Sequence, residues 1–438
     1  MSIFADRRAR FMQRMEGGVA VIRSHPIALR NGGTEYPYRA DSTFWYLTGF
    51  TEPDAIAVLA PGHPEHRFIL FVNPKDPAKE VWTGRRAGVE GAVRDFEADA
   101  AFALSELDAV LPRYLEGAPQ LYYALGSSPE FDQRVLGWIQ AVQAKARQGI
   151  LAPDTLVDPA RIANEMRLIK GPEEIALMKR SAEIAAEAHR QAMIVARPDM
   201  YEYELQATIE YSFRKLGAQA PSYGTICGSG PNGCILHYTA NERRMGARDL
   251  VLIDAGCELD GYASDITRTF PVSGIFSREQ RALYEVVLAA QKAAIATVAS
   301  HPSFQAVHDV AVRRLTEGLI ALGLLSGPLE QALEAEAYKP FYMHRTGHWL
   351  GMDVHDVGNY RADGEWRRIE PGMVLTVEPG LYIPEGAKVD SRWYDIGIRI
   401  EDDVLVTETG CDVLSSGVPK EIEEIEALMR AGALAGAR

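Results

Sequence analysis

Four carboxylates and one imidazole in the C-terminal half of the chain could together hold a pair of metal ions. The five residues are Asp254, Asp265, His348, Glu378 and Glu401. Each lies in a local pattern that predicts a structured, inward-facing position. Burying so many charged groups is too costly unless cations neutralise them. The set therefore predicts a metal site, and the imidazole favours a transition metal such as Mn, Co, Fe or Zn over Mg or Ca.

The two aspartates flank a strong signal for a β-hairpin. Asp254 ends an apolar run, Asp265 opens the next strand-like run, and Asp260-Gly261 lies between them. A two-residue turn at Leu259-Asp260 would place the aspartates directly opposite each other. A turn at Asp260-Gly261 would make them diagonal neighbours on the same face. Either register suits two aspartates that grip cations, and the alternative is a pair of solvated acids beside a turn.

The two glutamates follow strand-like runs of their own. Glu401 ends a run in which isoleucines alternate with other residues, so that it shares a face with Arg399. Glu378 comes directly after an apolar run. The alternatives are a surface salt bridge between Arg399 and Glu401, and a position at the edge of a loop for Glu378. Two strand segments, near 254–270 and 373–406, each carry two acids, and this spacing suggests a pseudo-symmetric site for two metals.

The histidines supply the remaining candidates for chemistry. His344, His348 and His355 cluster in the sequence, and His237 precedes them. Two bound metals would lower the pKa of a bridging water and polarise a carbonyl group. Such a site also needs a proton shuttle, for which Glu378 is the candidate, and donors to an oxyanion. We expect His237 and His355 to act as donors or substrate contacts, although each alone could be an ordinary structural histidine.

Composition restricts the class of protein. A chain of 438 residues, 47% of them hydrophobic, is expected to form two domains. A net charge of −14 argues against binding to nucleic acid or to anionic membranes. No apolar run reaches the ~18 residues of a membrane span, and the N-terminus lacks the pattern of a signal peptide. We therefore expect a cytoplasmic protein.

The organisation of the chain supports a division into domains at 1–165 and 170–438. The first part alternates strand-like and helical stretches, which predicts a small α/β domain. These stretches are the strands 68–72 and 120–125 and the helix 131–148. Two long helices are predicted in the second part, from Pro172 to about 196 and over 278–298.

Taken together, the site residues resemble the metallopeptidases of the pita-bread fold, a family that includes methionine aminopeptidases, prolidases and Xaa-Pro aminopeptidases. The five candidate ligands occur in the family's order of Asp, Asp, His, Glu and Glu, within residues 170–415. Within the family the chain is most similar to the Xaa-Pro aminopeptidases. The segments that carry this similarity are 348–358, 235–238, 35–39, 44–50 and 82–86.

The resemblance implies both a fold and an activity. The fold would be α/β (α+β), with a C-terminal pita-bread catalytic domain and a smaller N-terminal α/β domain of the creatinase/prolidase type. The smaller domain would shape the pocket and build a homodimer or homotetramer. The activity would be that of an exopeptidase that releases the N-terminal residue from peptides with proline second, by attack of a water that bridges two metals. The cofactors would be two divalent ions, Mn2+ in preference to Co2+, Fe2+ or Zn2+.

The resemblance also implies roles for individual residues. The metal ligands would be Asp254, Asp265, His348, Glu378 and Glu401. Residues with a part in catalysis would be His237, His355, Glu378 and Arg399, where Arg399 supports Glu401. The substrate would be contacted by His237, His344, His355 and Tyr360.

Departures from the family pattern and rival functions leave alternatives open. Arg345 and Gly347 beside the metal histidine, and the segment 361–368, differ from what the family leads us to expect, which puts substrate preference in question. Prolidase, which cleaves Xaa-Pro dipeptides, is the nearest rival. A relative without metals, such as a creatine amidinohydrolase or an interaction module, is a rival of another class. A two-domain binding protein with structural acids is the simplest alternative.

Overall fold

The computed structural model describes residues 2–436, with side chains as far as residue 434. The predicted outer domain limits at residues 1 and 438 lie outside the described residues. The chain divides into two compact units, Met1–Met166 and Arg167–Arg438. Among the described residues, no helix is both long enough and apolar enough to cross a membrane.

The N-terminal unit is built on a mixed six-stranded sheet of order β6-β5-β4-β1-β7-β8. Its elements are α1 Ile3–Gln13, β1 Val19–Arg23, β2 Leu29–Asn31, β3 Thr34–Glu35, α2 Ser42–Thr48, β4 Ile56–Leu59, β5 Phe68–Val72, α3 Pro77–Thr83, α4 Gly88–Phe96, β6 Ala100–Ala103, α5 Leu107–Leu115, β7 Gln120–Tyr122, α6 Pro129–Gln143, β8 Thr155–Val157 and α7 Ala160–Leu168. The central strands β4 and β5 are buried on both faces, as continuous apolar runs predict.

Two predicted elements of this unit differ in their ends. The strand expected over 120–125 stops at Tyr122, and Leu125 is exposed because the chain leaves the sheet there. The helix expected over 131–148 begins earlier, because Ser128 caps it and Pro129 occupies its first turn. That helix ends at Gln143, and a separate 3-10 turn then closes on Gly149, whose φ is +81°.

The C-terminal unit combines short antiparallel strands with long helices. Its elements are α8 Pro172–Val195, α9 Glu202–Leu216, β9 Ala220–Pro221, β10 Ile226–Ser229, β11 Leu250–Asp254, β12 Cys257–Leu259, β13 Tyr262–Ala263, β14 Thr267–Pro271, α10 Arg278–Val298, α11 Phe304–Ala321, α12 Leu329–Glu334, β15 Arg361–Ala362, β16 Glu365–Trp366, β17 Val374–Val377, β18 Gly380–Ile383, β19 Ile396–Arg399, β20 Asp402–Thr407, β21 Gly410–Val413 and α13 Ile422–Gly436. Helix α8 packs against α9 and α13, and α10 packs against α11. Both long helices predicted from the sequence are therefore confirmed.

The first acidic segment forms a long hairpin whose hydrogen-bonded ladder opens in the middle. Strands β11 and β14 pair with Asp254 opposite Thr267, and β12 and β13 continue the same register with Glu258 opposite Ala263. The turn falls at Asp260-Gly261, where both residues have positive φ. Of the two registers left open by the sequence, the diagonal one is therefore correct.

The second acidic segment has the same construction. Strands β17 and β20 pair with Val377 opposite Asp402, and β18 and β19 continue in register with Gly380 opposite Arg399. Between these ladders, both chains leave the strand conformation, and Glu401 lies in this gap. Each hairpin thus opens at the point where its acidic side chains occur.

Candidate metal centre

The two aspartates meet at one tyrosine hydroxyl. Tyr223 Oη lies 2.6 Å from Asp254 Oδ1 and 2.5 Å from Asp265 Oδ1, so it can donate its proton to either. Both aspartates are buried. Burial raises the pKa of Asp254. Burial acts in the same direction on Asp265, but the hydrogen bond and charge of His348, the hydrogen bond from Tyr223 and the charge of Arg399 together outweigh it and lower the pKa of that carboxyl.

His348 lies between two of the predicted acidic ligands. Its Nε2 is 3.4 Å from Asp265 Oδ2 and 3.6 Å from Glu378 Oε1. Its Nδ1 donates to the carbonyl of Trp349 at 3.0 Å, which directs Nε2 at the carboxylates. Burial alone would lower the pKa of His348, but the hydrogen bond with Asp265 and the charge of Glu378 raise it to about 9. The carboxylates around His348 therefore favour positive charge at this position, which the protonated imidazole carries when no metal is bound.

The two glutamates enter the cluster from the opened second hairpin. Glu378 follows β17, and its backbone N–H donates to the carbonyl of Thr346 at 2.8 Å. Glu401 accepts a hydrogen bond from Thr267 Oγ1 at 2.6 Å and is 1% exposed. Asp265, His348 and Glu401 each offer a ligand atom, and these three atoms lie within 4.8 Å of one another.

The charges of the cluster do not balance without an added cation. In the described part of the chain, the basic side chains within 4.0 Å of the four carboxylates are Arg399, His348 and His344. Burial raises the pKa of three of these carboxylates, to about 7 in the case of Glu378 and well above the usual value in that of Glu401. Divalent cations would remove this repulsion, and oxygen donors with one imidazole suit them. The residues present thus fit a metal centre.

Arg399 ties the two hairpins together beneath the cluster. It donates to Asp254 Oδ2 at 2.6 Å, to Thr267 Oγ1 at 3.1 Å and to Tyr382 Oη at 3.0 Å. The sequence led us to expect that Arg399 supports Glu401. The structure gives it Asp254 as its direct carboxylate partner, and its hydrogen-bonded path to Glu401 runs through Thr267.

A cavity of about 690 Å³ opens onto the cluster. The five candidate metal ligands all line it. The four residues predicted to contact substrate line it as well, and they are His237, His344, His355 and Tyr360. The rings of His355 and His348 are nearly perpendicular, with centroids 4.4 Å apart. Burial lowers the pKa of His355 and lowers that of His344 to about 3, so both imidazoles are neutral near pH 7.

Two of the pocket residues also have structural contacts. His344 Nδ1 donates to the carbonyl of Arg345 at 2.7 Å, and its Nε2 lies 2.9 Å from Tyr382 Oη. Tyr360 Oη accepts a hydrogen bond from the N–H of Trp349 at 3.0 Å, and its ring stacks on that indole with centroids 5.4 Å apart. Tyr360 thus supports the segment that carries His348 while one part of it faces the cavity.

Sequence reasoning missed the hydroxyl groups of the site. The hydroxyl of Tyr223 contacts the acidic cluster, and that of Tyr382 contacts Arg399. The hydroxyl of Thr267 contacts Glu401. The diagonal hairpin register could have identified Thr267, because it places that residue opposite Asp254. Nothing in the local pattern distinguishes Tyr223 or Tyr382 from other buried tyrosines.

Comparison with known proteins agrees with this geometry. Residues 176–408 match the model of metallopeptidase family M24, and residues 4–122 match that of the aminopeptidase P N-terminal domain. The chain belongs to metallopeptidase family M24. It is 46% identical over 428 residues to the Xaa-Pro aminopeptidase of Escherichia coli strain K12, with 97% of each chain covered. It is 44% identical over 427 residues to that of Haemophilus influenzae, with 97% of this chain and 96% of the relative covered.

Solved structures of this M24 group superpose closely on the chain. The structure of Pseudomonas aeruginosa aminopeptidase PepP matches with a TM-score of 0.95 at 49% identity, and 98% of each chain is covered. A variant of E. coli aminopeptidase P in complex with substrate matches with a TM-score of 0.95 at 46% identity, again over 98% of each chain. The family and the α/β pita-bread fold class predicted from the sequence are thereby confirmed.

Proposed function

We propose that this chain is a metal-dependent exopeptidase that releases the N-terminal residue from peptides with proline at the second position. The observation that carries the proposal is the buried cluster of four carboxylates and His348 at the base of a cavity lined by three further histidines. Membership of a metallopeptidase family and the Xaa-Pro aminopeptidase activity named for its relatives support it. These relatives favour this function over prolidase and over a binding protein without metals.

The residues that would hold the metals are Asp254, Asp265, His348, Glu378 and Glu401. When bound, two divalent ions would supply an activated water and polarise the carbonyl group of the bond to be cleaved. We propose Mn2+ as the preferred ion, ahead of Co2+, Fe2+ and Zn2+. The preponderance of oxygen ligands supports Mn2+.

The chain's own side chains would handle protons and the substrate. Glu378 is our candidate for the group that accepts and returns a proton, because its carboxylate lies in the acidic cluster and lines the cavity. His355 is neutral because burial lowers its pKa, so it can donate a hydrogen bond without adding charge. Burial lowers the pKa of His344 to about 3, and the single N–H of its neutral ring is already donated to the carbonyl of Arg345, so His344 would contact the substrate through the rest of its ring. We assign His237 and His355 as donors to the substrate, and Arg399 as the group that orients Asp254.

Proline poses a particular problem of recognition. Its peptide nitrogen carries no hydrogen, and its ring fixes φ, so a pocket must recognise the ring by shape. Apolar side chains of Leu236, Phe304 and Val354 line the same cavity as the histidines. We infer that these apolar groups receive the ring.

We further propose that the two parts of the chain have different roles. Residues 170–438 would form the catalytic domain, and residues 1–165 would shape the pocket and build a homodimer or homotetramer. The enzyme would act in the cytoplasm on peptides that begin with Xaa-Pro, and neither nucleic acid nor membrane would be a partner. The net charge of −14 supports the last point.

The test of this function is hydrolysis of Arg-Pro-Pro and Gly-Pro by chelator-stripped enzyme, before and after Mn2+ is added back. We expect Mn2+ to restore release of arginine from the tripeptide and to leave the dipeptide almost uncleaved. Preferential cleavage of Gly-Pro would make the enzyme a prolidase. Failure to cleave either peptide with metal bound would refute the proposed function.

A further inference from the structure

Two arginines and one tryptophan form a cationic rim on the substrate cavity. Arg345 and Trp366 line the cavity, and Arg361 lies opposite Trp366 in the hairpin of β15 and β16. The guanidinium carbons of Arg345 and Arg361 lie 5.0 Å and 4.5 Å from the centroid of the Trp366 ring. We call these three residues the Arg-Trp rim.

The hairpin that carries part of this rim is well defined by its sequence. Asp363-Gly364 forms its two-residue turn, with φ of +52° and +84°. That turn places Arg361 and Trp366 as direct cross-strand partners. Arg345 is anchored from the other side, because it donates to Gln305 Oε1 at 2.6 Å and its carbonyl accepts a hydrogen bond from His344.

The positive charge of the rim is not neutralised by an ion pair in the part of the chain that the structure describes. No carboxylate among the side chains of residues 2–434 lies within 4.0 Å of the guanidinium of Arg345 or Arg361. Both arginines are exposed, whereas Trp366 is partly buried. Both guanidinium groups lie within 5.0 Å of the centroid of one indole ring, so an anion bound at this rim would meet the positive charge of both. A planar carboxylate matches the fork of a guanidinium in shape as well as in charge.

The cavity therefore has two regions of different chemistry, the proposed metal centre and the cationic rim. The acidic cluster lines one part of it, and Arg345 and Trp366 of the Arg-Trp rim also line it. The N-terminal residue of the peptide must lie at the proposed metal centre for its bond to be cleaved, and the other end of a short peptide carries a carboxylate. A tripeptide reaches about 10 Å when extended, so both ends can be held within one cavity of this size.

We propose that the Arg-Trp rim is a binding site for a carboxylate that follows the proline of the substrate, and that it directs the enzyme towards short peptides. The inference rests on the proposed function and adds to it the chemistry of the third position. The carboxylate can come from the C-terminus of a tripeptide or from an acidic side chain at that position. Both sources present the same group to the same two guanidinium groups.

The test compares kcat/KM for Ala-Pro-Ala, its C-terminal amide, and Ala-Pro-Asp amide, with Mn2+ bound. Wild-type enzyme should cleave the free acid about three- to fivefold faster than the amide, the scale of one ion pair at an exposed site. Arg345→Gln and Arg361→Gln should each reduce this acid-to-amide ratio towards one. Because the ratio divides out any loss common to both substrates, a general defect in a variant does not imitate the effect.

Arg392→Gln is the matched control, because Arg392 also lies over a tryptophan, 5.4 Å from the centroid of Trp393, but that tryptophan does not line the cavity whereas Trp366 does. It should keep the wild-type ratio. Fast cleavage of Ala-Pro-Asp amide would support a side-chain carboxylate as the ligand, and slow cleavage beside a fast free acid would support the C-terminal carboxylate. Equal wild-type rates for all three peptides would overturn the rim proposal while leaving the proposed function intact. Failure to cleave any of them would instead count against the function itself.

Discussion

A buried ion network beside His348, the proposed imidazole ligand, allows one prediction to be worked in detail. Arg167 Nη2 lies 2.6 Å from Asp353 Oδ2 and 2.6 Å from Asp356 Oδ1, while Lys170 Nζ lies 3.0 Å from Asp356 Oδ2. The side chains of Arg167, Lys170 and Asp356 are 3%, 1% and 1% exposed, whereas that of Asp353 is 40% exposed. The backbone N–H of Asp356 also donates to Trp349. The network therefore holds the segment between His348 and His355.

Asp356→Asn should destabilise the chain strongly, because it removes the carboxylate that Lys170 and Arg167 share. Leaving a buried charge without its partner costs about 3–5 kcal/mol. In a folding unit of more than two hundred residues, that cost corresponds to a fall in Tm on the order of 10 °C. Asp353→Asn is the matched control in the same segment. It should cost less than about 1 kcal/mol, because its carboxylate is half exposed to water and Arg167 keeps Asp356.

The assay is urea and thermal unfolding of the full chain in chelator, so that metal binding does not contribute. The double variant Lys170→Met with Asp356→Asn should recover part of the loss, because it no longer buries an unpaired ammonium group. Two results would refute the reasoning. One is equal stability of Asp356→Asn and Asp353→Asn, and the other is a double variant no more stable than Asp356→Asn alone.

Three further predictions concern the site itself. His348→Ala should lose metal affinity and nearly all turnover, measured by metal titration and by peptide hydrolysis, and wild-type rates with Mn2+ present would contradict the assigned role. His237→Ala should keep its metals, measured by elemental analysis, but show a lower kcat, and loss of metal would argue that His237 is a ligand. In metal-free protein, the folded pKa of His348, about 9, exceeds its ordinary value of 6.5. Its contribution to stability is therefore complete below pH 6.5 and disappears as the pH rises through 9. Urea unfolding of wild type and His348→Ala in chelator should show a gap that narrows from pH 6.5 to 9, and a constant gap would show that His348 is not charged.

The sequence by itself determined the identity and order of the acidic and imidazole groups, the long helices and the family. It could do so because these features are local. Apolar periodicity sets the helices, and Asp260-Gly261 sets a turn whose register places Asp254 and Asp265 on one face. The same reasoning failed at the ends of short elements, such as the strand that stops at Tyr122, because neighbouring turns decide where a strand leaves its sheet.

Only the tertiary structure decided which groups surround the acids. The Thr267 hydroxyl that meets Glu401, the Tyr223 hydroxyl between the aspartates, and Arg399 against Asp254 all join residues far apart in the chain. The burial of Asp356 beside Arg167 also depends on contacts between distant segments. The same is true of the Arg-Trp rim, where Arg345 meets Trp366. Local pattern fixes which way a side chain points from its own strand or helix, but the packing of separate segments determines what it meets. That packing also sets the burial that shifts the pKa values of the site.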